Sequence, residues 1–134
     1  MFVATVVEAA LSLAETLAVQ PEKVALGGRS MGGRMCSMAV AEGLGAAALV
    51  LVSYPLHPPD QPEHKRSAHF SEIAIPWLFV SGTRDVFGTV EELEAATAAI
   101  TGPVTHHWIE GSDHVLRRKD AEVAQIVTDW LTAL

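Results

Sequence analysis

The sequence predicts an α/β protein with about four parallel strands and helices on both faces of the sheet. Helical and strand-like segments alternate along the chain, the pattern left by strand–helix–strand crossovers. Two of the strand-like segments, Ala46–Val52 and Ile75–Val80, are apolar almost throughout, as strands covered on both sides are. The chain has 134 residues, too few for a second independent core, so 1–134 is read as one domain.

The elements follow in order. Among the first nineteen residues Glu8 and Glu15 share one face, with Val3, Val7, Ala10, Leu11, Ala14 and Leu17 opposite, which predicts an amphipathic helix lying on a core. Gln20-Pro21 ends it, because the residue before a proline avoids the α region. Lys23–Leu26 reads as a short strand halted by Gly27-Gly28. Met31–Glu42 has helical spacing at Met31, Met35, Met38 and Ala39, which reads as ordinary helix core, and Gly43 and Gly45 follow as C-terminal glycines do. After the Ala46–Val52 strand comes a polar, proline-rich connection with one short helix near Arg66–Phe70. Ile75–Val80 carries its proline near the strand start, where a missing N–H is tolerated. Glu91–Ile100 is a helix with acids in its first turn, favourable against the macrodipole. Val104–Ile109 is the fourth strand, with Trp108 read as core like Trp77, and Lys119–Leu134 the closing helix.

Composition excludes several functions. Nine Lys and Arg against 16 Asp and Glu give a formal charge of −7, and no basic stripe exists to meet nucleic acid or an anionic membrane. A hydrophobic content of 49% with 19% charged residues excludes disorder. Cys36 is alone, so there is no internal disulfide and no multi-cysteine metal site. The apolar start has no Lys or Arg for a signal peptide, and Glu8 and Glu15 interrupt any membrane span, so a cytoplasmic protein is expected.

Chemistry in a parallel sheet gathers at the carboxyl ends of the strands, in the loops after Leu26, Val52, Val80 and Ile109. The first of these loops reads Gly28-Arg29-Ser30-Met31-Gly32, a G-x-S-x-G between a strand and a helix. A serine on so tight a turn is held strained with its hydroxyl above the sheet, and side chains two residues either side are expected to collide, hence glycine at both. The Met31 amide, at the positive end of the helix, then points where an oxyanion would form. A serine hydroxyl needs a base, and His114 in Gly111-Ser112-Asp113-His114 follows the last strand. Asp85, in Ser81-Gly82-Thr83-Arg84-Asp85, follows the third strand and is placed to orient that histidine. The chain order is Ser, Asp, His, each at a strand end.

GGRSMGG, SYPLHPP, SGTRDVFGT and EGSDH together resemble the α/β-hydrolase superfamily, most closely its compact, lidless branch. That branch includes dienelactone-hydrolase-like proteins and relatives of a regulatory subunit of the nonspecific-lethal histone acetyltransferase complex. The resemblance covers nearly the whole chain and implies the C-terminal part of the fold, with Ser30 as nucleophile, His114 as general base, Asp85 as its orienter and Met31 as one oxyanion donor. It implies a small ester or acyl substrate and no cofactor. The family carries further strands before the serine turn, and a loop among them supplies the second oxyanion donor. The expectation is therefore a domain lacking those N-terminal strands, whose Lys23–Leu26 strand presents an open edge through which a homodimer would form. The alternative function is a non-catalytic scaffold or interaction module.

Other residues leave two readings open. Arg29 beside the serine either contacts an acidic substrate or props the turn through a salt bridge, and Arg84 beside Asp85 shares that ambiguity. Tyr54 and His57, after the second strand, either line a substrate pocket or pack. His106 and His107 are adjacent on a strand and point to opposite faces, so they cannot share an ion. With no H-x-x-x-H pair, no metal is expected, and His57, His64, His69, His106 and His107 read as surface polar residues apart from the pocket reading of His57. GGRSMGGR lacks the Lys-Ser/Thr pair of a phosphate-binding loop.

Overall fold

The computed structural model describes residues 2–134. Helix α1 spans Val3–Leu17, strand β1 Ala25–Arg29, helix α2 Met31–Ala41, strand β2 Ala48–Val52, strand β3 Trp77–Gly82, helix α3 Val90–Thr97, strand β4 Val104–Ile109 and helix α4 Asp120–Thr132. Single 3-10 turns at Pro21–Lys23 and Phe70–Glu72 complete the elements, the second replacing the short helix expected near Arg66–Phe70. The four strands form one parallel sheet in sequence order, with Leu49 beside Leu26 and Trp77, and Val104 beside Trp77.

That order fixes the layers. Right-handed crossovers stepping in one direction put α2 and α3 on the same face. There Met35, Cys36 and Ala39 of α2, Val6 of α1 and Leu93 of α3 pack against Leu49, Leu51, Trp77 and Phe79. The other face carries Val50, Val52, Leu78, Val80 and Ile109, covered by α4 through Val123, Ile126 and Val127. Hence β2 and β3 are buried along their whole lengths, each large apolar side chain contributing about 1.5–3 kcal/mol. Strands β1 and β4 lie at the two edges.

Five expectations are corrected by packing. Strand β1 does not stop at Gly27-Gly28 but runs through them to Arg29. A Cβ on Gly27 would lie 2.9 Å from Val50 O, and one on Gly28 would lie 2.5 Å from the backbone of Gly32 and Gly33. These glycines let helix and neighbouring strand approach; they do not break the strand. Helix α1 ends at Leu17, before the proline, with Ala18 left-handed at φ 54 and its N–H capping Ala14 and Glu15. Of its expected face Ala10 and Ala14 are buried and Val3 and Val7 pack on the core, joined by Val6, whereas Leu11 and Leu17 are exposed. Small residues at 10 and 14 let α1 lie close on its neighbour. Trp77 and Met35 are core, but Met31 is 51% exposed and Trp108 is half-buried.

No helix among the described residues is long and apolar enough to cross a membrane.

Candidate active site

Strand β1 delivers Ser30 at its carboxyl end, as the cap of α2, with φ 52 and ψ −123. Non-glycine residues rarely adopt such a conformation, and holding one costs on the order of 1–3 kcal/mol. The turn is over-determined: the Ser30 N–H donates to Val52 O at 2.8 Å, Arg34 N–H donates back to Ser30 O at 3.2 Å, and Gly28 leaves no gap against Gly32 and Gly33. The second glycine that the turn needs is Gly33, whose Cβ would sit 2.7 Å from Gly28 O; beside Gly32 there is open space, contrary to the symmetrical expectation. As first residue of α2, Met31 has an N–H with no partner inside the helix. Its side chain reaches solvent.

Two further loops converge on Ser30. After β3 the chain turns through Gly82, whose missing Cβ makes room for the backbone of Ser112 and Asp113. Thr83 Oγ1 accepts from Gly111 N–H at 2.8 Å and Arg84 N–H donates to Ser112 O at 2.9 Å, so the loop after β3 and the loop after β4 are stitched side by side. From one comes Asp85, 3% exposed; from the other comes His114. Asp85 Oδ1 accepts the Phe87 N–H at 2.8 Å, and Oδ2 lies 2.8 Å from His114 Nδ1. His114 Nε2 lies 2.8 Å from Ser30 Oγ. A carboxylate only accepts, so Nδ1 carries the proton, leaving Nε2 free to receive the serine hydroxyl proton. The Phe87 ring tilts against the imidazole at 4.1 Å between centroids and shields it.

Arg29 resolves toward the propping role. Its Nη1 donates to Val115 O at 2.9 Å and its Nη2 pairs with Asp120 at 3.5 Å, tying the serine turn to the segment after His114. Tyr54 and His57 do not face Ser30. Tyr54 is 2% exposed, its phenol donating to Arg66 O at 2.7 Å; burial raises its pKa to about 12. His57, 4% exposed, has Nε2 at 2.9 Å from Glu92 and Nδ1 at 2.8 Å from Pro58 O, both acceptors. Burial alone would lower its pKa, but the Glu92 carboxylate and the Pro58 carbonyl raise it on balance; the same contact, with Thr89, pulls Glu92 down to about 2. The pair clips the connection after β2 to the start of α3, just beyond Asp85.

The surface reading is corrected for His69 and His106, each half-buried with a partner, and His57 takes the packing reading. His57 finds Glu92; His69 meets Ser37, and His106 meets Thr97 while stacking between Phe79 and Trp108. His64 and His107 are exposed. No group of three or more metal-ligating side chains gathers among the described residues.

Three contributors went unread in the sequence. Thr89 and Glu92 form a capping box at α3, a signal legible as T-x-x-E. Phe87 orders Asp85 through a backbone N–H, which no side-chain motif announces. Ser53, fully buried after β2, donates its hydroxyl to His114 O at 2.7 Å. The flank of β1 is an apolar groove of about 610 Å³ between that strand and α1, bordered by Leu13, Leu26 and Gly32.

The chain resembles known structures over almost all of its length. An alpha-beta serine hydrolase homologue from Coxiella burnetii superposes with a TM-score of 0.71 at 22% identity, over 92% of this chain and 56% of that one. A thermophilic esterase from Thermogutta terrifontis gives 0.73 at 18%, over 98% and 64%. The esterase domain of a Rhodothermus marinus protein gives 0.68 at 18%, over 92% and 66%. The chain thus spans less than two thirds of each of these structures. A model of the alpha/beta hydrolase domain matches residues 3–131, and the chain belongs to that family.

Proposed function

We propose that this chain carries a serine hydrolase centre that cleaves a small ester or related acyl compound through an acyl-enzyme. One observation carries the reading: a strained Ser30 hydroxyl 2.8 Å from His114 Nε2, with a buried Asp85 carboxylate 2.8 Å from Nδ1 of the same ring. His114 takes the Ser30 proton as Oγ attacks the acyl carbon, and Asp85 stabilises the resulting imidazolium. The carbonyl oxygen gathers negative charge near the Met31 N–H at the start of α2. As the tetrahedral adduct collapses, the C–O bond to the alcohol breaks and His114 hands its proton to the leaving oxygen. Water, deprotonated by the same imidazole, then releases the acid and restores Ser30.

The compact, lidless branch of the family is the finer assignment we propose. Between β2 and β3 the connection contains a single 3-10 turn and is pressed down by Tyr54, Leu56, His57 and Phe70, so no helical cap rises from it. Small acyl groups suit such an open rim.

The test is covalent labelling with a fluorophosphonate. Wild type is expected to label at Ser30, and Ser30→Ala to fold unchanged and stay unlabelled. Equal labelling of the two would remove the proposal. One observation favours the scaffold reading: β1 is an edge strand beside an apolar groove, a surface suited to a second copy of the chain. In that case wild type stays unlabelled and scatters light as a dimer.

A further inference from the structure

Two serines follow adjacent strands, both with positive φ. Ser30 follows β1 with φ 52 and Ser53 follows β2 with φ 55. Each continues the sheet by one backbone bond, Ser30 N–H to Val52 O and Ser53 N–H to Val80 O, both 2.8 Å. The first serine meets the ring of His114, and the second, wholly buried, donates to the carbonyl of the same residue.

On either side of His114 the chain is held, by the Gly111–Ser112 stitch to the loop after β3 and by Leu116, which is buried in the core; the Ser53 hydroxyl is the bond on the His114 carbonyl itself. Leu116 N–H and Lys119 N–H bond only within the loop, Val115 N–H bonds to the Asp113 side chain, and Leu116 and Arg118 are left-handed turns. Next to it, Val115 O is held by the Arg29 side chain, which is exposed to solvent. Ring contacts to Asp85 and Ser30 fix the imidazole only if its Cα is already in place.

We propose that Ser53 is a positioning residue for the hydrolase centre: its hydroxyl anchors the His114 backbone over the end of β2, so that Nε2 arrives within bonding distance of Ser30. The inference rests on the function proposed above. An alanine at 53 would keep the left-handed strain and lose the anchor, whereas a glycine would accept the positive φ freely and lose only the anchor. The glycine variant therefore isolates the hydroxyl. A displacement of about 1 Å at a reacting group is enough to cost on the order of 10² in rate.

The experiment compares wild type, Ser53→Gly and Ser30→Ala. Ser53→Gly is expected to label with fluorophosphonate about 10- to 100-fold more slowly, on the order set by such a displacement. On an aryl acetate its kcat should fall while KM holds. By NMR, the His114 Nδ1–H resonance should be sharp in wild type and in Ser30→Ala, and broadened by exchange in Ser53→Gly. Labelling of Ser53→Gly at the wild-type rate overturns the inference and leaves the hydrolase reading standing. If wild type itself does not label, the hydrolase reading falls; the Nδ1–H line then decides alone, and an unchanged line in Ser53→Gly overturns the anchor. Should Ser53→Gly fail to fold, Ser53→Ala takes its place, and the same labelling rate and the same resonance decide in the same way.

Discussion

Ser30 meets His114 Nε2 at 2.8 Å, and two turns along the same helix Ser37 meets His69 Nε2, also at 2.8 Å. The contacts differ in their third partner. Ser37 spends its proton on Arg34 O, one turn back at 2.7 Å, so its oxygen can only accept, and His69 must donate from Nε2. Near Ser30 the order is reversed, because Asp85 claims the Nδ1 proton and leaves Nε2 as the acceptor. His69 has no such carboxylate; burial and then the nearby Arg34 charge push its pKa down and keep it neutral. Distance alone does not make a base of a histidine; the group behind the ring does.

The largest effect tests that contrast directly. Ser30→Ala is expected to abolish fluorophosphonate labelling, while Ser37→Ala leaves its rate within about twofold. The second variant instead leaves the His69 N–H without its partner, at a stability cost of about 1–3 kcal/mol read by urea unfolding. Labelling lost in both variants would dissolve the distinction.

Asp85→Asn sharpens it further, since it gives His114 the situation of His69. The asparagine amide offers a proton to Nδ1, the other tautomer is favoured, and Nε2 becomes a donor facing Ser30. Labelling and turnover should fall by about 10⁴ with the fold retained. A loss of tenfold or less would mean that Asp85 does not set the tautomer.

Much of this was legible in the sequence, for a physical reason. Ser30, Asp85 and His114 each stand in the loop that follows a strand, and a parallel sheet brings such loops to one rim. Strand β4 has its expected bounds, Val104–Ile109. What stayed hidden is what depends on the third dimension. Gly27 and Gly28 look like a strand breaker and are a close approach; Leu11 and Ala14 sit equally well on an apolar face until the neighbouring helix selects the smaller one. Tyr54 and His57 are polar residues at a strand end, like Asp85, yet the connection folds them inward. A buried serine such as Ser53 has no pattern at all, because its partner is a carbonyl.

The two glycines flanking Ser30 provide the next test. Gly28→Ala drives a methyl to 2.5 Å from the Gly32–Gly33 backbone, which cannot move without opening the turn. It should cost about 1–3 kcal/mol or more and slow labelling. Gly32→Ala meets nothing within 4 Å and replaces a glycine in the first turn of α2, so stability should hold or rise by up to about 1 kcal/mol. Similar losses for both variants would show that the turn is symmetrical after all.

The smallest effect compares buried His57 with half-buried His69, whose pKa values move in opposite directions. His57, raised on balance by Glu92, binds its proton more tightly folded than unfolded, so its contribution is complete below the ordinary value of 6.5 and fades as pH rises through the folded pKa. Glu92, held down at about 2, contributes fully above 4.5 and loses that contribution as pH falls toward 2. The pair is thus strongest between those two ordinary values. His69 is depressed, so the unfolded chain takes up its proton first and stability is lost as pH drops below 6.5. His57→Gln should therefore cost more at about pH 5.5 than at about pH 8, whereas His69→Gln should compare better with wild type at the lower pH. Urea midpoints at the two pH values read both. The slopes must have opposite signs, because one ring is held by a carboxylate that stabilises its charge, whereas burial and the nearby Arg34 charge disfavour the charged form of the other.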